Sequence, residues 1–286
     1  MLTTLSAVLK DARKGRYAVP AFDCVEDVMV RTILETSEAC GAPAILMGLV
    51  GPDLEGNGWD YVPGLVRAVA GRHGIPVVLH LDHAMRLDEI RRGVDSGYTS
   101  VMIDGSRFPF GENVRLTRAA VEIARPRGIS VEGELGAVGG SDVEAKQRSD
   151  SVLTRPDEVR RFVTETGVDA LAISIGTSHG IYRTAPRLDI GLLRELDAAS
   201  AVPLVLHGGS GTPDDQVRAS VEGGITKMNV YAELRIAMGE GLKASAAAMA
   251  RPDPLPREVF GPIRQRLAAV VERKIDLLGA RGRCQP

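Results

Sequence analysis

Eight short runs of apolar, largely β-branched residues recur along the chain, separated by stretches whose apolar residues fall at helical spacing. This alternation restricts the fold more than any other feature. The runs are YAVPAFD (17–23), PAILMG (43–48), PVVLHLD (76–82), SVMIDGS (100–106), SVEGELG (130–136), DALAISIG (169–176), PLVLHGG (203–209) and ITKMNVY (225–231). Runs this short and this apolar fit parallel strands covered on both faces. The segments between them, such as Val25 to Cys40, Leu87 to Gly97, Glu112 to Arg127 and Pro156 to Thr166, read as helices, several of them closing on glycine. Such alternation, unbroken in composition, predicts an α/β fold in the form of a closed (β/α)8 TIM barrel with additional C-terminal helices. An open doubly wound sheet fits less well, because no glycine-rich dinucleotide fingerprint follows the first strand.

The 286 residues match the roughly 250-residue norm of one such barrel, so residues 1–286 are expected to form a single barrel domain. The stretch 139–153, GGSDVEAKQRSDSVL, is polar and without a period, and is expected to be a mobile loop after the fifth strand. Beyond Tyr231 a helical extension is expected over about 232–286, with one helix to about Ala248 and a last one from Arg257 to Leu278. The start, MLTTLSAVLKDARKG, reads as an amphipathic helix, and it lacks the apolar core and cleavage site of a secretory signal.

Lysine plus arginine number 35 against 37 acidic residues. A balance so near neutral provides no overall field for nucleic acid or for an anionic membrane, so neither is an expected partner. No apolar run is long enough to span a bilayer. Three cysteines, Cys24, Cys40 and Cys284, with no CxxC spacing argue against a disulfide framework or a thiolate metal site and fit a reducing cytoplasm.

Of five histidines, three fall at or just after the C-terminal ends of predicted strands: His83, His179 and His207. That is the face on which barrel enzymes build their sites. Three imidazoles with one open position make a catalytic zinc arrangement. His80, inside a strand, and His73, before a glycine at a helix end, read as core or surface residues. Asp82, adjacent to His83 in LHLDHA, is placed for proton transfer beside the metal. Asp104 and Glu134, also near strand ends, are candidate ligands of a second metal position or partners that orient the first ligands. HGGSG (207–211) leads into a helix near Pro213, where backbone N–H groups can hold phosphate. Asn229 faces the same cavity.

By these motifs the chain resembles the class II fructose-bisphosphate and tagatose-bisphosphate aldolases. The resemblance runs from about Leu5 to Leu242 and rests on PVVLHLDHA, VMIDGS, VEGELGAVGG, IGTSHGIY, PLVLHGGSG and KMNVYAEL in family order. It implies cleavage of a phosphorylated ketose to dihydroxyacetone phosphate and an aldehyde. It implies catalytic Zn2+ on His83, His179 and His207, with a second metal position at Asp104 and Glu134. It implies that Asp82 exchanges a proton with the aldehyde oxygen and that an acid on the loop serves the carbanion. Asp23, Gly180, Arg183, Gly208, Gly209, Ser210, Asn229, Tyr231 and Ala232 match the segments that hold substrate. A monovalent cation (Na+ or K+) near the phosphate and a homodimer or homotetramer are further implications.

Several positions depart from the family pattern. Asp23 replaces an asparagine, Met47 and Leu49 stand where glutamine and serine are frequent, and Asp142, with Glu144 nearby, stands for the loop glutamate. Tyr231 and Ala232 replace an alanine or aspartate and a threonine. These changes bear on which sugar is used more than on the bond broken. Three other readings remain at the level of sequence: a Schiff-base aldolase using Lys227, a sugar-phosphate-binding subunit without turnover, and a zinc hydrolase.

Overall fold

The computed structural model describes residues 1–51, 54, 58–140, 151–180 and 186–284. Ten strands run in chain order: β1 (Val19–Asp23), β2 (Ala44–Leu49), β3 (Val77–Ala84), β4 (Ser100–Ile103), β5 (Ser130–Leu135), β6 (Gly139–Gly140), β7 (Ala170–Ile173), β8 (Ser178–His179), β9 (Leu204–Leu206) and β10 (Ile225–Val230). Eight of them close a parallel barrel in the order β1-β10-β9-β7-β5-β4-β3-β2, and β6 pairs with β8 as a separate two-stranded sheet. Closure occurs where Val19 of β1 pairs with Lys227 of β10. The predicted barrel is thus the observed fold.

Among the described residues ten α-helices accompany the strands: α1 (Leu5–Gly15), α2 (Asp27–Ala39), α3 (Gly58–Val69), α4 (Leu87–Ser96), α5 (Phe110–Ala124), α6 (Pro156–Thr166), α7 (Ile190–Ala199), α8 (Asp214–Glu222), α9 (Ala232–Ala248) and α10 (Pro256–Leu277). The opening helix α1 buries Leu5, Val8, Leu9 and Ala12, the spacing of one helical face. Burying each leucine or valine contributes about 1.5–3 kcal/mol. Thr4 starts α1 by accepting from the N–H of Ala7, and the N–H of Ser6 donates to Ser130 Oγ at 3.1 Å. Ser130 is the first residue of β5, so α1 lies across the N-terminal end of the barrel and leaves the other end for a site.

Strand ends follow local chemistry. The sequence predicts a fourth run to 106, but β4 stops at Ile103, since the Asp104 carboxylate accepts from both the N–H and the hydroxyl of Ser106 and turns the chain. The ninth strand stops at Leu206 because Gly208 takes φ 66°. After β3, the Glu89 carboxylate accepts from the N–H groups of Met85 and Arg86, fixing the start of α4 two residues past the strand.

The loop expected over 139–153 is corrected at both margins. Gly139 and Gly140 pair with Ser178 and His179, and Val152 bridges Ala137 in antiparallel fashion. Its centre, 141–150, lies outside the described residues, and so do the candidate acids Asp142 and Glu144. The C-terminal extension forms the two expected helices, and α10 packs against α9, α2 and β1. Among the described residues no helix is long and apolar enough to cross a membrane.

Candidate metal centre and active site

Three strands contribute polar pairs to the barrel interior at the two-residue period that keeps side chains on one face: His80 and Asp82 on β3, Glu132 and Glu134 on β5, Lys227 and Asn229 on β10. All six are buried. A buried polar layer where barrels ordinarily carry Val, Ile or Leu needs partners for every charge. Within this layer Lys227 partners Glu132 and Asn229 donates to Asp82.

Asp82 and His83 are consecutive, and in a regular strand they would face opposite sides. The β3–β4 register shifts between Leu81 and Ala84, and His83 has φ 49°. Such a bulge re-aims a side chain, and a left-handed non-glycine backbone costs about 1–3 kcal/mol and clusters at functional sites. The result is that both side chains enter the cavity, with His83 Nε2 3.8 Å from Asp82 Oδ2.

The three strand-end histidines converge. Ring centroids of His83 and His207 are 4.8 Å apart, those of His83 and His179 are 5.2 Å apart, and the planes stand close to perpendicular. One nitrogen from each of His83, His179 and His207 lies within 4.8 Å of the others, and all three residues are buried. A second group that can hold a metal ion consists of His83, Asp104 and Glu134. The sequence reading named all five residues, and the fold brings them together.

A chain of contacts runs through the cluster. Asp104 Oδ2 lies 3.4 Å from His83 Nδ1, His83 Nε2 lies 3.1 Å from His207 Nδ1, and His207 Nε2 lies 2.9 Å from Glu132 Oε1. Glu132 also accepts from Lys227 Nζ at 3.0 and 3.3 Å. Burial pushes the His83 imidazole down, but the carboxylates of Asp82, Asp104 and Glu134 outweigh it and hold its pKa near 10. His179 is pushed the other way by burial and by the adjacent His83 and His207 rings, and His207 is lowered by burial. A charged His83 can then donate to Asp104 and to His207, while neutral His207 donates to Glu132.

Burial raises every carboxyl here, and the neighbours decide the outcome. Asp82 is held well below its usual range by His83, His80, His207 and Lys227, and Glu132 is brought to about 2 by Lys227 and His207. For Glu134, burial and then the adjacent Asp104 charge act together, raising it to about 8. With Asp82, Asp104 and Glu132 ionised against His83 and Lys227, the cavity keeps a surplus of negative charge that favours a cation. The donor set fits a metal that accepts imidazole and carboxylate. Two carboxyl oxygens point the same way: Asp82 Oδ1 and Glu134 Oε2 are buried without a hydrogen-bond partner among the described residues, with His80 Nε2 3.5 Å from the first and His207 Nδ1 3.9 Å from the second.

Next to the histidines, the Gly208–Gly211 turn leads into α8. A Cβ on Gly208 would stand 2.5 Å from Ser178 O, and one on Gly209 would meet Met228 Cγ at 2.5 Å, so only glycine lets this turn press against β8 and β10. Ser210 Oγ accepts from the N–H of Tyr231 at 3.3 Å, and Ala232 opens α9. Gly180 follows His179 with φ 94°, and Asp23 is buried at the end of β1. Arg183 lies outside the described residues.

A family model described as fructose-bisphosphate aldolase class-II matches residues 3–283. The chain belongs to the class II fructose-bisphosphate aldolase family. The YdjI aldolase of Escherichia coli K12 is 30% identical with a TM-score of 0.88, each chain covered completely. A putative fructose-1,6-bisphosphate aldolase of Coccidioides immitis is 29% identical with a TM-score of 0.86, over 98% of this chain and 97% of that one. The fructose-bisphosphate aldolase of Campylobacter jejuni, 20% identical with a TM-score of 0.81 over 99% and 97% of the two chains, shares the fold. Family membership implies aldehyde-lyase activity for this chain.

The sequence reading missed two residues of this class II aldolase site. His80, read as core, is fully buried, but its Nε2 lies 3.5 Å from Asp82 Oδ1 while Nδ1 meets Ser100 Oγ at 2.8 Å. Glu132 was not singled out. Its position two residues before Glu134 was the available signal, since that spacing places both on the inner face of β5.

Proposed function

We propose that this protein is a zinc-dependent aldolase that reversibly cleaves a phosphorylated ketose to dihydroxyacetone phosphate and an aldehyde. The observation that carries the reading is the convergence of His83, His179 and His207 beside an ionised Asp82 at the open end of the barrel. These imidazoles would hold the zinc, which would supply Lewis-acid polarisation of the ketose carbonyl, where negative charge grows as the carbon–carbon bond breaks.

The remaining steps fall to residues of the chain. Asp82 accepts the proton of the C4 hydroxyl, and Asn229 holds the carboxylate that receives it. As the C3–C4 bond breaks, the C4 oxygen becomes the aldehyde oxygen and the electron pair stays with the C3 fragment. That carbon is then protonated by an acid, for which Asp142 is the candidate. Backbone N–H groups of the Gly208–Ser210 turn and the start of α8 are suited to the phosphate, and the ionised Asp82 disfavours a phosphate beside itself.

The reading is tested by condensation. Purified protein with zinc and dihydroxyacetone phosphate is offered a panel of phosphorylated and unphosphorylated aldehydes, with and without chelator, and the sugar phosphate formed is identified. Metal-dependent formation of one new carbon–carbon bond is the expected result. Release of inorganic phosphate with no new sugar would point to a hydrolase instead.

A further inference from the structure

We propose that Glu132 is a positioning residue that fixes the ring tautomer and orientation of His207, and that Lys227 holds Glu132 in place for this task. The inference rests on the metal reading above and extends it one residue outward. A carboxylate only accepts hydrogen bonds. With Glu132 Oε1 2.9 Å from His207 Nε2, that nitrogen carries the proton, and Nδ1 keeps the lone pair. Nδ1 is the atom that faces the cluster, 3.1 Å from His83 Nε2 and 3.9 Å from Glu134 Oε2.

His83 is arranged in the same way. Its Nδ1 faces Asp104 Oδ2, which leaves Nε2 turned toward His207. Two imidazoles thus meet with a carboxylate behind each, the pattern that orients metal-ligating histidines. Asn229 Nδ2 approaches His207 Nε2 at 3.4 Å, but both atoms are donors in this tautomer. The amide instead donates to Asp82 Oδ2 at 3.0 Å.

The Lys227–Glu132 pair is not explained by stability. Replacing a buried ion pair with apolar residues of similar volume is frequently neutral or stabilising. Lys227 Nζ contacts both oxygens of Glu132, which fixes the carboxylate plane and leaves Oε1 aimed at His207. Removing Glu132 alone would strand a buried ammonium, so its role is best read where Lys227 has also been neutralised.

The experiment compares Lys227→Met with the double variants Glu132→Gln/Lys227→Met and Glu132→Met/Lys227→Met. Zinc affinity is measured by chelator competition and the ligand field by the visible spectrum of the cobalt(II) form. Glu132→Met/Lys227→Met is expected to bind metal about 10–100-fold more weakly than Lys227→Met with an altered cobalt spectrum, and the glutamine variant, which keeps an acceptor, is expected to fall between. Equal affinity and an unchanged spectrum in a folded Glu132→Met/Lys227→Met protein would reduce Glu132 to a barrel ion pair. A measurement on the unmutated, metal-free protein decides independently of variant folding: long-range 15N–1H correlations should show His207 protonated at Nε2, and protonation at Nδ1 alone overturns the assignment. Failure of the unmutated protein to bind zinc or cobalt would instead remove the metal reading and this inference together.

Discussion

Asn229 donates from Nδ2 to Asp82 Oδ2 at 3.0 Å, joining the end of β10 to the end of β3 across the mouth of the barrel. The amide oxygen of Asn229 and the second carboxylate oxygen of Asp82, Oδ1 in each case, are buried without a hydrogen-bond partner among the described residues. An ionised carboxylate held on one oxygen by an amide, with the His80 ring 3.5 Å from the other, is arranged to take a proton. Substituting Asp82→Asn keeps the shape and removes the base. Turnover is expected to fall about 10²–10⁴-fold, with zinc content unchanged by metal analysis. Loss of stoichiometric zinc in Asp82→Asn would recast the residue as a ligand.

Metal affinity should depend steeply on pH, and the sign follows from His83. Its pKa near 10 in the metal-free protein means that it is charged at neutral pH. A metal must therefore displace about one proton from this ring, and affinity should rise about tenfold per pH unit below 10. Calorimetry at pH 7 in buffers of different ionisation enthalpy should report that proton, and zero release is the contrary outcome. Because the folded pKa lies above the unfolded value of about 6.5, the same group adds its full stability to the metal-free fold below pH 6.5. That contribution is lost as pH climbs through 10. Asp82 and Glu132, both depressed, act oppositely, and their contribution disappears on acidification.

The barrel and most of the site are legible in the sequence because parallel strands and their intervening helices leave a strong pattern, and because strand ends locate a barrel's catalytic face. Adjacency of Asp82 and His83 was suggestive but insufficient, since a regular strand would have separated them; the bulge at β3 that unites them has no signature in LHLDHA. His80 and Glu132 escaped notice for a related reason. Each belongs to an inward polar pair: the two-residue spacing within one strand marks the shared face, but what the pair does depends on neighbours from other strands, which that spacing does not show. The short sheet formed by β6 and β8, only two residues per strand, falls below any periodic signal.

Lys227 offers a direct test between metal and imine chemistry. A Schiff-base lysine must present a free amine to the substrate carbonyl, whereas Lys227 Nζ is fully buried against both oxygens of Glu132. Borohydride added during turnover with dihydroxyacetone phosphate is expected to leave no covalent adduct by mass spectrometry, and chelator is expected to abolish activity. A trapped adduct on Lys227 in chelated, active protein would reverse the assignment.

Asp23 is the departure most suited to altering the substrate. It ends β1 in register with Met47, and it puts a buried carboxylate where the resembled family has a neutral amide. Negative charge there disfavours a second phosphate on the aldehyde half. Asp23→Asn is expected to raise kcat/KM for phosphorylated aldehydes relative to unphosphorylated ones, by about 1 kcal/mol of discrimination or roughly fivefold. Paired condensation assays measure the ratio, and an unchanged ratio would separate Asp23 from substrate choice.

The C-terminal helix reaches the candidate phosphate turn through one carboxylate. Glu233 Oε1 accepts from the N–H of Gly211 at 3.1 Å and from Lys274 Nζ of α10 at 2.6 Å, while Arg273 holds Oε2. Lys274 is buried, and burial pushes its ammonium down against the pull of Glu233. Lys274→Met leaves Glu233 free to turn toward solvent with Arg273, and the turn loses its anchor. The lost hydrogen bonds to a charged group cost about 1.5–3 kcal/mol, read as a lower denaturant midpoint. Because Gly211 borders the turn suited to phosphate, the variant should raise KM for dihydroxyacetone phosphate more than it lowers kcat. A fall in kcat at constant KM would place the effect of α10 on the chemistry instead of on the phosphate.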